Sequence, residues 1–446
     1  MKYKIGVISL GCAKNQVDAE MMLYRLKQAG FDIVKNTAKA DAVIVNTCGF
    51  IETAKQESIN EILKVAQLKK EGKIKSIIVT GCLAQRYQKE VMTQLYEVDA
   101  VLGIGANSNI AEAVLKSLQG EKSGMFPSTR MMPLDGGRIQ TTPPHYAYLK
   151  IADGCDNCCT YCAIPMIRGE FRSRRLENIL QEAEKLAAAG VKELLVIAQD
   201  TTRYGEDIYG GLMLGTLLTE LCKIEGIRWI RVLYCYPDRI TDELLNIIAK
   251  EEKIVKYLDL PLQHCNERIL KLMNRRGSTM SLKRLVEKIR GAIPGVVLRT
   301  TLITGFPSET EEEFEELSEF VELMKFERLG CFAYSQEEGT AAAELDGQID
   351  DYVKNRRAAI IMEQQQIIME QHSRSLISRT VEVLAEGVGN SRGWFYGRSY
   401  WDAPEVDGVV FFKAEGEYPA VGAFVKVEVT NCKNGNIYGR ILERME

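Results

Sequence analysis

Three cysteines on one short loop constrain this chain more than any other feature. Cys155, Cys159 and Cys162 stand at a C-x3-C-x2-C spacing, directly after an apolar run over residues 146–151 that reads as a strand. Three thiolates on so tight a loop can hold three irons of a cubic four-iron, four-sulfur cluster, leaving the fourth iron open to a substrate or cofactor. Two other readings compete: four neighbouring cysteines, Cys158 included, with no shared task, or a zinc site. Zinc sites close a tetrahedron with paired ligands, commonly C-x2-C twice. Only one such pair closes here and no histidine lies nearby, so the spacing favours iron and sulfur.

The rest of the chain surrounds this loop with strand–helix units. Residues 1–120 alternate apolar runs (4–10, 42–46, 74–80) with helical patterns (18–29, 59–68). That alternation predicts a doubly wound parallel sheet. Each run leads into a cysteine next to, or one residue from, a glycine: Cys12, Cys48 and Cys82. Parallel sheets gather ligands at the carboxyl ends of their strands, so cysteines about 35 residues apart in sequence can meet there. One such cysteine would be an ordinary small buried residue. Three at equivalent strand ends point to a second three-thiolate cluster.

Residues 121–140 carry glycines and prolines without a period, as do the prolines just beyond, and read as a linker. Residues 141–372 repeat the strand–helix unit, with strands expected at 146–151, 193–198, 228–234, 255–260, 296–303 and 329–334. Six such units suggest a partial (β/α) barrel, whose chemistry sits on the loops after the strands. Gln199, His264 and the 335–340 stretch all fall on such loops. Arg168, Arg172, Arg174 and Arg175 form a basic run whose default reading is a solvated face. Contact with a carboxylate is its alternative. Arg299, inside a strand, needs an anionic partner. His264 is open between a structural and a binding role. A long connecting helix spans 351–375. Residues 374–446 then switch to short Val-, Phe- and Tyr-rich runs, which suggests a small antiparallel β-barrel.

At 446 residues with 46 % apolar content, several buried cores are expected. A net charge of −4 provides no global field for nucleic acid. From Val381 onward seven Lys or Arg face ten Asp or Glu, a sign that suits a basic protein partner better than RNA. No apolar run approaches the roughly 18 residues of a membrane span. The first residues lack a signal-peptide cleavage site, and twelve cysteines without one suggest metal or redox use in the cytoplasm.

With an aromatic residue before its last cysteine, the Cys155–Cys159–Cys162 loop resembles the radical S-adenosylmethionine (SAM) superfamily. Ser9-Leu10-Gly11-Cys12 with Lys14-Asn15, the cluster loop with Arg168-Gly169, and the stretch from Ser335 to Thr340 make the whole chain resemble the methylthiotransferase family. That family joins an N-terminal three-cysteine domain, a radical SAM core and a C-terminal TRAM barrel. The tRNA-modifying MiaB and MtaB branches usually carry serine where His264 stands. The 199–205 loop, Arg299 and the 402–408 stretch instead match the branch that modifies an aspartate of small-subunit ribosomal protein S-twelve. Departures from the family pattern are Arg175 and Ala341, where proline is common, and Ser308, where glycine is common.

The resemblance implies two [4Fe-4S] clusters, on Cys12, Cys48 and Cys82 and on Cys155, Cys159 and Cys162, with Cys158 outside the ligand set. One SAM would methylate a sulfur held at the first cluster. A second SAM would be cleaved at the other, and the resulting deoxyadenosyl radical would take a hydrogen from the β-carbon of the aspartate. Tyr161, Gln199 and Arg299 would contact SAM, and His264 the substrate. A reducing electron donor is required, and no membrane or direct tRNA contact is expected. A tRNA methylthiotransferase and a non-catalytic iron–sulfur protein are the alternatives.

Overall fold

The computed structural model describes residues 2–414 and 418–445, with the side chains of the last three excepted. Ala42–Thr47 and Ser76–Gly81 are buried at every position, the signature of central strands covered by helices on both faces. They lie in a six-stranded parallel sheet ordered Asp32–Ile33, Lys4–Ser9, Ala42–Thr47, Ser76–Gly81, Ala100–Leu102 and Ser123–Met125. Helices Ala13–Gln28, Glu52–Lys70 and Cys82–Gln94 return the chain between strands. The last strand corrects the linker reading in part. Ser123–Met125 pairs with Ala100–Leu102, and three residues are too few to show a period beside so many glycines and prolines. The remainder of that stretch straps the two units together: the Ile139 N–H donates to the Glu20 carbonyl, and the Thr141 N–H to Glu20 Oε1.

The central unit is a second six-stranded parallel sheet, in spatial order Arg328–Ala333, Val297–Thr304, Ile254–Asp259, Trp229–Val232, Glu193–Ile197 and Tyr146–Lys150. Each expected strand is present and consecutive strands are neighbours, as in a partial barrel. Successive residues point to opposite faces. The outward set, including Leu194, Val196, Ile230 and Leu258, packs under the helices. The inward set, including Tyr148, Leu195, Trp229 and Tyr257, forms a separate core. That inner core is completed by Leu384, Ala403 and Phe424 from the C-terminal unit.

The C-terminal unit is a closed five-stranded barrel: Thr380–Val388, Trp394–Ser399, Val410–Lys413, Phe424–Lys433 and Asn436–Met445. It is not wholly antiparallel as expected. Val410–Lys413 pairs in parallel with Asn436–Met445, because the chain inserts Phe424–Lys433 on the far side before returning. The barrel's acidic residues mostly turn inward. Glu386 meets Arg398 (2.7 Å), which also reaches Glu193 of the central sheet (2.6 Å). Arg328 pairs with Asp402, the Tyr257 hydroxyl donates to Asp407 (2.6 Å), and Arg228 pairs with Glu382. The acidic surplus read from the sequence is therefore largely neutralised against the central unit, because each of these carboxylates meets a guanidinium or hydroxyl.

The basic run also differs from its sequence reading. Arg168 and Arg174 are buried, and Arg172 donates to the carbonyls of Thr129, Arg130 and Met132. Only Arg175 is exposed. Arg174 pairs with Asp135 (2.7 Å) and Glu182 (2.6 Å). Arg168 joins Lys150, Asp153 and the N-terminal unit's Asp18 in one buried network, with contacts between 2.5 and 3.0 Å. Ser308 adopts φ 63°, the left-handed region that glycine tolerates best, and Gly347 packs against it. Arg268 pins that turn through the Ser308 carbonyl (2.7 Å).

Removing one partner of a buried ion network leaves an uncompensated charge. Asp18→Ala should therefore cost about 3–5 kcal/mol in denaturant unfolding. Glu61→Ala, at the exposed pair with Lys64, should change stability by less than about 0.5 kcal/mol.

Candidate active site

The first three cysteines sit at the carboxyl ends of three adjacent strands, Lys4–Ser9, Ala42–Thr47 and Ser76–Gly81. Their loops approach so closely that only glycine fits between them. A Cβ on Gly11 (φ +89°) would lie 2.8 Å from Cys48 Cβ, and one on Gly49 would lie 2.7 Å from Leu83 Cα. Polar side chains lock the loops together. Asn15 Nδ2 donates to the Leu10 (2.7 Å) and Thr47 (3.2 Å) carbonyls, and the Ser58 hydroxyl bridges the Cys48 backbone.

Their electrostatics differ. Burial raises the Cys82 thiol to about 12 despite the Arg168 charge, and burial also raises Cys48. The surrounding protein would raise Cys12 as well, but Lys14 and Arg168 outweigh that effect and hold it below the ordinary thiol value. The Lys14 ammonium lies over the Tyr234 ring, 3.3 Å from its centroid.

The second set lies on the loop after Tyr146–Lys150. Gly154 (φ +83°) admits no side chain, since a Cβ would sit 2.0 Å from the Glu170 carbonyl oxygen. The Cys155 N–H donates to the Gly169 carbonyl, and the Cys162 N–H to the Cys159 carbonyl. Burial raises Cys155 to about 11 and Cys162 to about 12. Arg275 Nη1 stands 3.7 Å from Cys159 Sγ. Cys158 is exposed, in a left-handed conformation (φ 50°).

The loops of the two sets adjoin. Cys82 packs with Ala163, which directly follows Cys162, and with Ile167 one turn further on, and Arg168 Nη2 reaches Cys82 Sγ at 3.6 Å. Among the described residues no three His, Cys, Asp or Glu side chains are placed to hold a single metal ion. A cubane asks instead for one thiolate per iron, spread around a larger core. The donor chemistry fits that group: three thiols per set, glycine cradles, and Arg168 and Arg275 against the sulfurs of an anionic cluster.

The other expected contacts are placed as follows. Gln199 Nε2 donates to Asp153 Oδ1 (3.0 Å), while its Oε1 is buried without a partner and remains available as an acceptor. Tyr161 packs against the cluster of Ile269, Met273, Phe306 and Tyr334. Arg299 is already paired, with Asp259 (3.1 Å) and Asp407 (3.7 Å). His264 is fully buried. Its Nδ1 accepts from the Asn266 N–H (3.0 Å), and its Nε2 lies 3.5 Å from Glu309 Oε2. Glu309 in turn accepts from the Gly305 N–H. His264 thus braces a turn through Nδ1, while its buried Nε2 has no hydrogen-bond partner. Asp200, next to Gln199, braces the cluster loop through Asn157 Nδ2 (2.9 Å) and Arg239 (3.2 Å).

Sequence reading missed Asp18, Asp153 and Arg275, because the role of each depends on a set of partners that only the fold assembles. The 335–340 loop acts across units too. Glu337 pairs with Arg86 (2.7 Å), contacts Lys55 (3.5 Å) and accepts from the Glu52 N–H (2.8 Å).

The chain matches the uncharacterized protein family UPF0004 over residues 4–103, the Radical SAM superfamily over 149–321 and the TRAM domain over 377–442. It is 48 % identical to the ribosomal protein uS12 methylthiotransferase RimO of Thermoanaerobacter sp. (strain X514), covering 98 % of this chain and 99 % of that one. It is 51 % identical to the protein of that name from Pelotomaculum thermopropionicum, covering 93 % and 94 %. The Clostridium botulinum (strain Okra / Type B1) protein of that name is 46 % identical, covering 100 % and 99 %. Among solved structures, the radical SAM methyltransferase TsrM from Kitasatospora setae shares the fold, with a TM-score of 0.57 and 13 % identity over 74 % of this chain and 73 % of that one.

In the cluster-free protein at neutral pH, Cys12 should be alkylated by iodoacetamide faster than Cys48 or Cys82, because the thiolate is the reactive form. Lys14→Met removes a cation that lowers the Cys12 pKa, so the rate at Cys12 should fall roughly tenfold per unit of pKa rise. Peptide mass spectrometry of the time course reads both.

Proposed function

The chain belongs to the RimO family of radical SAM methylthiotransferases, and from that membership we propose that it methylthiolates the β-carbon of an aspartate in ribosomal protein uS12. The observation that supports this reading is that the loops of two three-cysteine sets adjoin, through the contact of Cys82 in one with Ala163 and Ile167 after the other. One set suffices for radical SAM chemistry; a second beside it suits sulfur delivery to the same carbon. Cys155, Cys159 and Cys162 would hold the [4Fe-4S] cluster that binds SAM, and Cys12, Cys48 and Cys82 a second such cluster. Bound there, SAM and the clusters supply hydrogen abstraction from an unactivated C–H bond and transfer of a methylated sulfur, chemistry no side chain provides.

The protein's own contribution is placement. Asp153, held by Lys150 and Arg168, orients Gln199, whose free Oε1 is suited to accept from the amino group of SAM. Arg275 and Arg168 neutralise thiolate charge at Cys159 and Cys82. The buried ion network and the C-terminal barrel close the inner face from below, leaving the strand ends as the route for substrate. Four of the six proposed cluster thiols have raised pKa values, so ligation must displace protons and cluster loading strengthens as pH rises. The electron donor and the cytoplasm as the site of action belong to the same proposal.

A tRNA methylthiotransferase is the second reading. It is favoured by the aromatic group Trp394, Phe411 and Tyr438 on the barrel, the last two stacked at 5.4 Å. Deleting the gene in its host separates the two. The expected outcome is loss of a mass corresponding to SCH3 in place of H on uS12, with tRNA unchanged. Loss of a tRNA methylthio group with uS12 unaltered would promote the second reading.

Anaerobically reconstituted protein should contain about eight irons and eight sulfides per chain. Replacing Cys12, Cys48 and Cys82 by alanine should leave about half, together with reductive SAM cleavage but no methylthiolation. An intact protein holding about four irons would sink the second cluster.

A further inference from the structure

The cluster loop turns one side to solvent. Ala163 and Ile167 after Cys162 are buried against Cys82, and Tyr161 packs into the central unit. Asp156 and Cys158 are exposed, and Asn157 lines an open cavity of about 560 Å³. Four cationic side chains, Arg239, Lys271, Arg275 and Arg276, line it against two acids, Asp156 and Asp238. Asp156 is already paired with Arg203 (3.0 Å) and Arg239 with Asp200. Lys271 and Arg276 are exposed and have no ion-pair partner among the described residues. This positive patch belongs to a chain whose net charge is −4.

The patch reaches the sulfur ligands by two short routes. Asn274 Nδ2 binds the Cys158 carbonyl (2.9 Å), one residue from Cys159. Arg275 spans from the cavity to Cys159 Sγ (3.7 Å), stacked 4.3 Å from the centroid of Tyr236. A radical SAM cluster must be given an electron from outside, and an outside protein must come close to it. The net charge of the chain does not draw an acidic carrier, so a local positive patch is what would steer one to the cluster.

We propose that the surface of Lys271, Asn274 and Arg276, with Arg275 buried beneath it, is the docking site for a small acidic one-electron carrier protein. The proposal rests on Cys155, Cys159 and Cys162 holding the cluster. In the step it serves, the carrier is oxidised by one electron and the cluster reduced by one; no bond forms or breaks and no proton is needed. RNA is the other macromolecule that seeks basic surfaces, but two unpaired cations beside two carboxylates make a poor phosphate track.

The test is anaerobic stopped-flow reduction of the reconstituted full-length protein, by a reduced acidic flavodoxin and separately by dithionite. Lys271→Glu with Arg276→Glu should lower the second-order rate with flavodoxin about tenfold or more at low salt, a gap that narrows as salt screens the charges. The dithionite rate should not change, and direct binding of flavodoxin, read by anisotropy, should weaken in parallel. Lys185→Glu with Lys250→Glu, exposed at the far ends of their helices, should leave both rates unaltered. An unchanged flavodoxin rate would overturn the proposal. So would an equal fall with dithionite, which would mean a disturbed cluster, or loss of labelled single-stranded RNA binding with the flavodoxin rate intact. Failure of uS12 methylthiolation with the charge-reversal effect preserved would count against the proposed substrate and not against the docking surface.

Discussion

Four buried charged groups, Asp18, Lys150, Asp153 and Arg168, hold the two halves of the active site in one frame. Asp18 comes from the N-terminal unit; the other three come from the central unit on either side of the cluster loop. Burying ions costs several kcal/mol each unless every one is matched. Here two carboxylates meet two cations, and spare valences are taken up by the Gly154 N–H and Gln199 on Asp153. The network is therefore matched charge for charge, and within it Arg168 ends beside Cys82. A chemistry that joins groups held on two separate domains depends on that kind of registration.

A second clasp works from the opposite end of the central sheet. The loop after its last strand places Glu337 against Arg86 and Lys55, so the first and last strands of the partial barrel both grip the N-terminal unit. The C-terminal barrel fills the lower inner face with Leu384, Ala403 and Phe424, its Asp402 neutralises Arg328, and its Arg398 is neutralised by Glu193 of the central sheet. A reaction that generates a radical would gain from a covered inner face, which limits access of water and stray hydrogen donors.

Most elements were legible from pattern alone, since fully apolar runs and period-2 runs report burial directly. The inner face was less legible. Arg299 was expected to seek an anion, and it has found two within the protein, Asp259 and Asp407. The arginines after the cluster loop look like a solvated face because charge is usually solvated, yet Arg168 and Arg174 are among the most buried side chains. His264 drew attention by its rarity and its strand-end position, and its Nδ1 braces a turn by accepting from the Asn266 N–H.

The sequence by itself determined the thiol sets, the order of the units and the strands that carry them. Those properties depend on spacing and periodicity, which are local. Tertiary structure decided which cysteine loops adjoin, which cations are consumed in ion pairs and which remain free at the surface. Lys271 and Arg168 are equally charged in the sequence, and only the placement of Asp18 and Asp153 makes one an internal brace and leaves the other open to a partner. The reason is that desolvation and pairing are completed only by the fold: Asp18 lies 150 residues from Arg168, and even the sequence neighbours Lys150 and Asp153 owe their burial to distant segments.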